Sequence, residues 1–121
     1  MGMLDVFKTV AETKELHVDP YLRSHYYKTN YQKAKDAVLM HAKELKLDVR
    51  HVDDVHKELF LQGPRHHVIC SIVQVSPIET SVDFKVEVYG LLGMNKPKNI
   101  ILGFYRYLDK ELPFKGTSLH P

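Results

Sequence analysis

The densest concentration of chemically capable side chains lies in "HVDDVHKELFLQGPRHHVIC", residues 51–70. It carries His51, His56, His66 and His67, the adjacent acids Asp53 and Asp54, and the single cysteine, Cys70. Imidazoles and carboxylates so close in sequence could hold a transition metal or act as a general acid and base. A zinc or iron site needs three or four such groups converging on one point. Convergence here depends on strand register, because neighbouring residues of a strand point to opposite faces.

If Asp53-Asp54 is a two-residue turn, His51 lies opposite His56. Arg50 then meets Lys57, and like charges directly opposite are unfavourable. A slide of one residue pairs Val52 with His56, Arg50 with Glu58, Val49 with Leu59 and Leu47 with Leu61. Each exchange improves a cross-strand pair, by about 0.2–1 kcal/mol. This register sends His51 and His56 to opposite faces. "QGPR" (62–65) reads as a turn, with Leu61 opposite His66 and Leu59 opposite Val68. His56 and His67 then share a face but stand about 13 Å apart along it. The expectation is no metal site and no catalytic set, with Asp53-Asp54 serving a turn. Cys70 and His66 share a strand face at about the same separation. Cys70, between Ile69 and Ser71, reads as inert packing. "GLLG" (90–93) lacks the Lys-Ser/Thr of a phosphate loop.

The elements that would position these groups follow from periodicity. Met3, Phe7 and Val10 fall at helical spacing, which predicts a short amphipathic helix over about 3–14. Asp19-Pro20 breaks the chain. "YLRSHYYK" (21–28) predicts a strand. Thr29 with Gln32 forms a capping box for a helix over about 30–46, whose apolar face is Tyr31, Ala34, Val38, Ala42 and Leu45. Strands are predicted over about 47–52, 56–62, 66–75 and 79–89. In "SVDFKVEVY", Val82, Phe84, Val86 and Val88 alternate with charges, so one face is buried and the other wet. Val68, Cys70 and Ile72 are expected opposite Val86, Phe84 and Val82. Asn95 caps a second long helix with Pro97 in its first turn and Ile101, Phe104, Tyr105, Leu108 and Leu112 on its apolar face. Gly103 is expected to mark a close approach to the sheet.

The fold class is therefore α+β: an antiparallel sheet of about five strands in β-α-β-β-β-β-α order, with both long helices on one face. Residues 1–19 are read as an N-terminal helix and linker, 20–112 as the core domain, and 113–121 as a tail. The order over about 20–112 resembles the β-α-β4-α arrangement of the TATA-binding-protein-like and helix-grip folds. The resemblance implies nucleic-acid binding in one case and an apolar ligand in the other.

Composition limits the functions. With 121 residues the chain suits one domain. A formal net charge of +2, from bases and acids mixed along the chain, is weaker than a dedicated nucleic-acid binder shows. One cysteine forbids an internal disulfide and suits a reducing compartment, and no apolar run is long enough to span a bilayer. A cytoplasmic protein without membrane association is expected. The outer sheet face is expected to show Val52, Phe60, Ile69, Val73 and Val75, more apolar surface than a wet face needs. The leading expectation is a non-catalytic interaction module without cofactor, self-associating as a homodimer through that face. An apolar small molecule held between sheet and helices is the second. Nucleic-acid binding is the third, with Tyr21, Arg23, Tyr26, Tyr27 and Lys28 stacking bases and holding phosphates.

Overall fold

The computed structural model describes residues 8–90 and 94–118. Among them, seven strands form one sheet that carries two helices. β1 is Lys8–Glu12, β2 His25–Tyr27, α1 Tyr31–Glu44, β3 Asp48–Asp53, β4 Glu58–Gln62, β5 His66–Ser76, β6 Glu79–Tyr89, α2 Lys96–Glu111 and β7 Phe114–Thr117. A single 3-10 turn, Pro20–Leu22, precedes β2. The order across the sheet is β3-β4-β5-β6-β2-β7, and β1 also pairs with β6. All the strand pairings are antiparallel. The expectation of an antiparallel α+β fold with two long helices thus holds, and the sheet is larger than the five strands expected.

The two additional strands come from the segments read as flanks. Lys8–Glu12 is a strand, not the end of a helix, because "KTVAE" alternates half-buried and exposed positions and its amides have a free edge of β6 to pair with. The remainder of the expected N-terminal helix, residues 3–7, lies outside the described residues, as do 91–93 of the "GLLG" loop. Phe114–Thr117, expected as tail, extends the sheet beyond β2.

β6 is the axis of the sheet. One edge takes β5 along its whole length. The other edge is divided: β1 pairs with Lys85–Tyr89 and β2 with Thr80–Val82. Thr13 closes the junction. Its amide donates to the Phe84 carbonyl at 2.8 Å, and its hydroxyl oxygen accepts the Phe84 amide at 2.9 Å, standing in for a strand carbonyl. The same hydroxyl donates to Asp83 Oδ1 at 2.6 Å, and so does Ser24 from the β2 side, also at 2.6 Å. One carboxylate thus ties both short strands to β6.

The helices cover the face that carries Leu59, Leu61, Val68, Cys70, Ile72, Val82, Phe84 and Val86, all buried. Val68 pairs with Val86, Cys70 with Phe84 and Ile72 with Val82, as the alternation implied. Ala34, Val38 and Ala42 of α1, and Ile101, Phe104, Tyr105 and Leu108 of α2, complete the core. Small residues on α1 bring its backbone close to the sheet, and the bulk comes from α2. Asn30, not Thr29, caps α1: its side chain accepts the Lys33 amide at 2.9 Å, while Thr29 is buried. Asn95 occupies the cap position of α2 without a side-chain hydrogen bond to it, and Pro97 stands in the first turn.

Candidate functional site

The register of β3, β4 and β5 decides the histidine question, and it differs from both sequence alternatives. Asp53 pairs with Glu58, Val52 with Leu59 and His51 with Phe60; a bulge at Arg50 then sets Val49 opposite Leu61. The turn is four residues long because Asp53 organises it. Its Oδ1 accepts the amides of Val55 and His56 at 3.1 and 2.9 Å, and its Oδ2 lies 2.8 Å from His56 Nδ1. Lys57 closes the turn with a positive φ of 57°. Side-chain capping of a longer turn thus outweighs the pair energies that favoured the shorter one. β4 meets β5 two residues from the expected place, with Leu61 opposite Val68 and Leu59 opposite Cys70. A two-residue shift keeps every side chain on its face, so the core assignment survived.

The histidines disperse. The His51 ring lies on Phe60, and His56 stays in its turn, where Asp53 raises its pKa. His66 and His67 take opposite faces of β5. The His66 ring packs on Gly63, where a Cβ would fall 2.3 Å from its Cε1, and burial lowers its pKa. His67 Nδ1 lies 3.0 Å from the Tyr89 hydroxyl, with Glu87 at 3.4 Å from Nε2. No three His, Cys, Asp or Glu side chains among the described residues gather to hold a metal. Cys70 is buried, and its thiol is pushed well up by loss of water.

The Tyr-rich segment separates in the same way. Tyr26 and Tyr27 are 6% and 0% exposed, on opposite faces of β2. Their hydroxyls donate to Glu15 and Asp109, both at 2.7 Å. Arg23 donates to the His17 carbonyl. Only Tyr21 and Lys28 of the five stand exposed, and Lys98 lies over the Tyr21 ring at 5.3 Å. The five do not form one stacking surface.

Beside Tyr27, His25 stacks on Tyr105 at 3.6 Å with its Nδ1 3.0 Å from Asp109 Oδ1, the atom that accepts the Tyr27 hydroxyl. A His–Asp pair invites a catalytic reading. Here the carboxylate is shared with a buried phenol and the imidazole is covered, so the cluster fastens β2 to α2.

On the sheet face away from the helices, Phe60, Ile69, Lys85 and Glu12 lie in one cross-strand row. Phe60 and Ile69 are half-buried, and Val73 is 53% and Val75 47% exposed, the latter at a bulge of β5. Val52 does not belong to this surface. Its pairing with Leu59 turns it to the core, against which it packs. Val10 takes its place: paired with Glu87 and 44% exposed, it adds an apolar position that a helical reading of the N-terminus concealed. Lys8, Lys85 and Glu87 form ion pairs of 3.7–3.8 Å among these residues.

A second surface was not foreseen. The space between sheet and helices is filled by Tyr27, Phe84, Phe104 and Tyr105, each fully buried or nearly so. A groove of about 450 Å³ lies instead between α1 and α2, lined by His41, Leu45, Lys96, Asn99, Ile100, Gly103, Arg106, Tyr107 and Lys110. Gly103 makes the room. It faces His41 of α1, whose Nε2 would lie 4.0 Å from a Cβ at that position, and not the sheet. An alanine therefore fits, and Gly103→Ala should raise stability by about 0.5–1 kcal/mol, as an increased urea midpoint, because a mid-helix glycine is entropically costly. The α2 spacing 96, 99/100, 103, 106/107, 110 is a helical stripe, visible in the sequence once the core stripe is subtracted.

No helix among the described residues is long and apolar enough to cross a membrane. Comparisons with protein-family models, with curated proteins and with solved structures gave no match.

Proposed function

We propose that the protein is a non-catalytic interaction module that pairs with a second copy of itself through the outer face of the sheet. The observation that carries this reading is the set of four apolar side chains, Phe60, Ile69, Val73 and Val10, on a face that neither helix covers. The seven strands hold 45 residues, which at a rise of about 3.3 Å and a spacing of about 4.8 Å make a face of roughly 700 Å². That is near the ~800 Å² per partner of a stable interface. The charges around the strip, Lys8, Glu12, Glu58, Lys85 and Glu87, are of both signs, so a second copy meets no single-sign field. The buried thiol accords with a cytoplasmic setting. The β2-α1-β3-β4-β5-β6-α2 order retains the likeness to TATA-binding-protein-like and helix-grip folds, while the filled interlayer space argues against a ligand held there.

Light scattering on the eluting protein tests the reading. The parent chain should run as a dimer at tens of micromolar. Phe60→Glu should run as a monomer with an unchanged circular dichroism spectrum, because burying a lone carboxylate at the strip is unfavourable. A parent chain that stays monomeric at several hundred micromolar, or a folded Phe60→Glu variant that remains dimeric, sinks it.

A further inference from the structure

We infer that the groove between α1 and α2 is a binding site for a small amphipathic anion, a carboxylate or phosphate on a short apolar body. This site is on the opposite layer from the self-association surface and is independent of it.

The groove has two chemical parts. Its floor is apolar: Leu45, Ile100, the Tyr107 ring and the open position left by Gly103. Its rim is cationic: Lys96 stands toward one end of the α2 stripe, Arg106 and Lys110 toward the other. Among the described residues, none of these three cations has a carboxylate within salt-bridge distance, and what sets them apart from the chain's other unpaired bases is that all three line one groove. Two acids bear on the groove lining: Glu44, 3.6 Å from His41 Nδ1, and Glu111, which with Glu44 raises the Tyr107 pKa after burial does so.

The floor also holds an unmet hydrogen-bonding need. Both ring nitrogens of His41 are buried; Nε2 has no partner and Nδ1 has only Glu44 at 3.6 Å, beyond hydrogen-bond distance, with Tyr107 stacked at 4.8 Å and Phe104 edge-on at 4.7 Å. Burial lowers the His41 pKa, and Glu44 acts the other way without cancelling it. Buried polar atoms without partners are uncommon in folded proteins and call for an account. A bound headgroup, held by Arg106 and Lys110 with its apolar body on Ile100 and Tyr107, provides one once the His41 ring turns a nitrogen toward the groove. The volume falls within the range of about 300–1,000 Å³ of small-molecule sites. A free small molecule suits this groove better than a membrane, because the hydrogen-bonding groups lie in the floor and not on a projecting surface.

Sodium decanoate, kept below its micellar range, is the probe. Titrated into the full chain, it should give saturable amide shifts at His41, Leu45, Asn99, Gly103 and Tyr107, with a Kd on the order of 0.1–1 mM. Decyltrimethylammonium, of the same chain length and opposite charge, should bind roughly tenfold more weakly or not at all. The Arg106→Glu, Lys110→Glu double variant should lose roughly tenfold in affinity. Gly103→Leu, which fills the floor and leaves the cations in place, should abolish the shifts while the rest of the spectrum stays that of the parent. Equal binding of the cationic and anionic chains overturns the proposal. So does saturation that survives Gly103→Leu, or no saturable binding of decanoate. Sedimentation with phosphatidylglycerol vesicles in place of decanoate binding would make the surface a membrane contact and also overturn it.

Discussion

Replacing Asp109 by alanine should lower the stability of the chain by about 2–3 kcal/mol, seen as a lower urea midpoint with an unchanged slope. Asp109 Oδ1 serves two groups at once, the Tyr27 hydroxyl at 2.7 Å and His25 Nδ1 at 3.0 Å. Tyr27 is fully buried, so no water can take over from the lost acceptor. Burial first, and the carboxylate second, keep the Tyr27 phenol protonated far above its ordinary value, so it remains a donor with nothing to donate to. The reverse deletion is milder. Asp109 keeps a side chain 31% exposed to water, and Tyr27→Phe leaves it hydrated; that variant should cost about 1 kcal/mol. The pair therefore forms an asymmetric cycle. Asp109→Ala in the Tyr27→Phe background should cost about 1–2 kcal/mol less than in the parent. Strictly additive losses would show that the shared carboxylate does not couple β2 to α2.

Asp83→Asn should stabilise the protein at neutral pH, and the advantage should shrink as the pH falls. Loss of water is the largest influence on Asp83 and raises its pKa above the ordinary 3.8; the Ser24 and Thr13 hydroxyls act the other way and do not cancel it. A carboxyl raised in the folded state binds its proton more tightly there than in the unfolded chain. Its contribution is therefore complete below 3.8 and is lost as the pH rises through the folded value. Asparagine reproduces the protonated state: its amide oxygen still accepts from Thr13 and Ser24, and no buried charge remains. Urea midpoints of the two proteins should separate at neutral pH and converge towards pH 3.8. A constant gap, or a less stable variant at neutral pH, would show that the two short hydrogen bonds outweigh desolvation. Asp83→Ala is the informative contrast, because it leaves two hydroxyls at the β1–β2 junction without an acceptor.

The regular elements were legible where apolar periodicity is long. Val82, Phe84, Val86 and Val88 define β6, and Ile101, Phe104, Tyr105 and Leu108 define the inner face of α2, with no help from tertiary context. Short elements were not. "KTVAE" and "FKGT" have too few residues to distinguish a period of two from a period of 3.6, and each is a strand because an edge of β6 or β2 was available to it. The register at β3–β4 went wrong for a different reason. Pair energies were weighed along the strands, while a single side chain, Asp53, fixed the length of the turn. The outer-face strip was nearly legible, since Phe60, Ile69 and Val73 follow from alternation alone. Val52 was misplaced with the register, and Val10 was lost with the helical reading. The groove was hidden because its residues belong to the outer stripe of α2, which in isolation reads as a solvated face. It becomes a surface with a floor only when His41 and Leu45 of α1 are set beside it.

The divided edge of β6 has a consequence for synthesis. A chain made from its N-terminus completes β1 about 75 residues before the β6 residues that pair with it, as Ala11 and Val86 show. At about 5–20 residues per second, that interval is roughly 4–15 s. Throughout it, β1 is an edge without a mate, while β2 meets β6 sooner, at His25 with Val82, and β7 later, at His25 with Thr117. Lys8, Glu12 and Lys14 bracket the only strongly apolar residue of β1, Val10, with charge. Charges so placed keep a nascent strand from joining the edge of another chain, and Lys8 reaches its own partner, Glu87, only when β6 arrives.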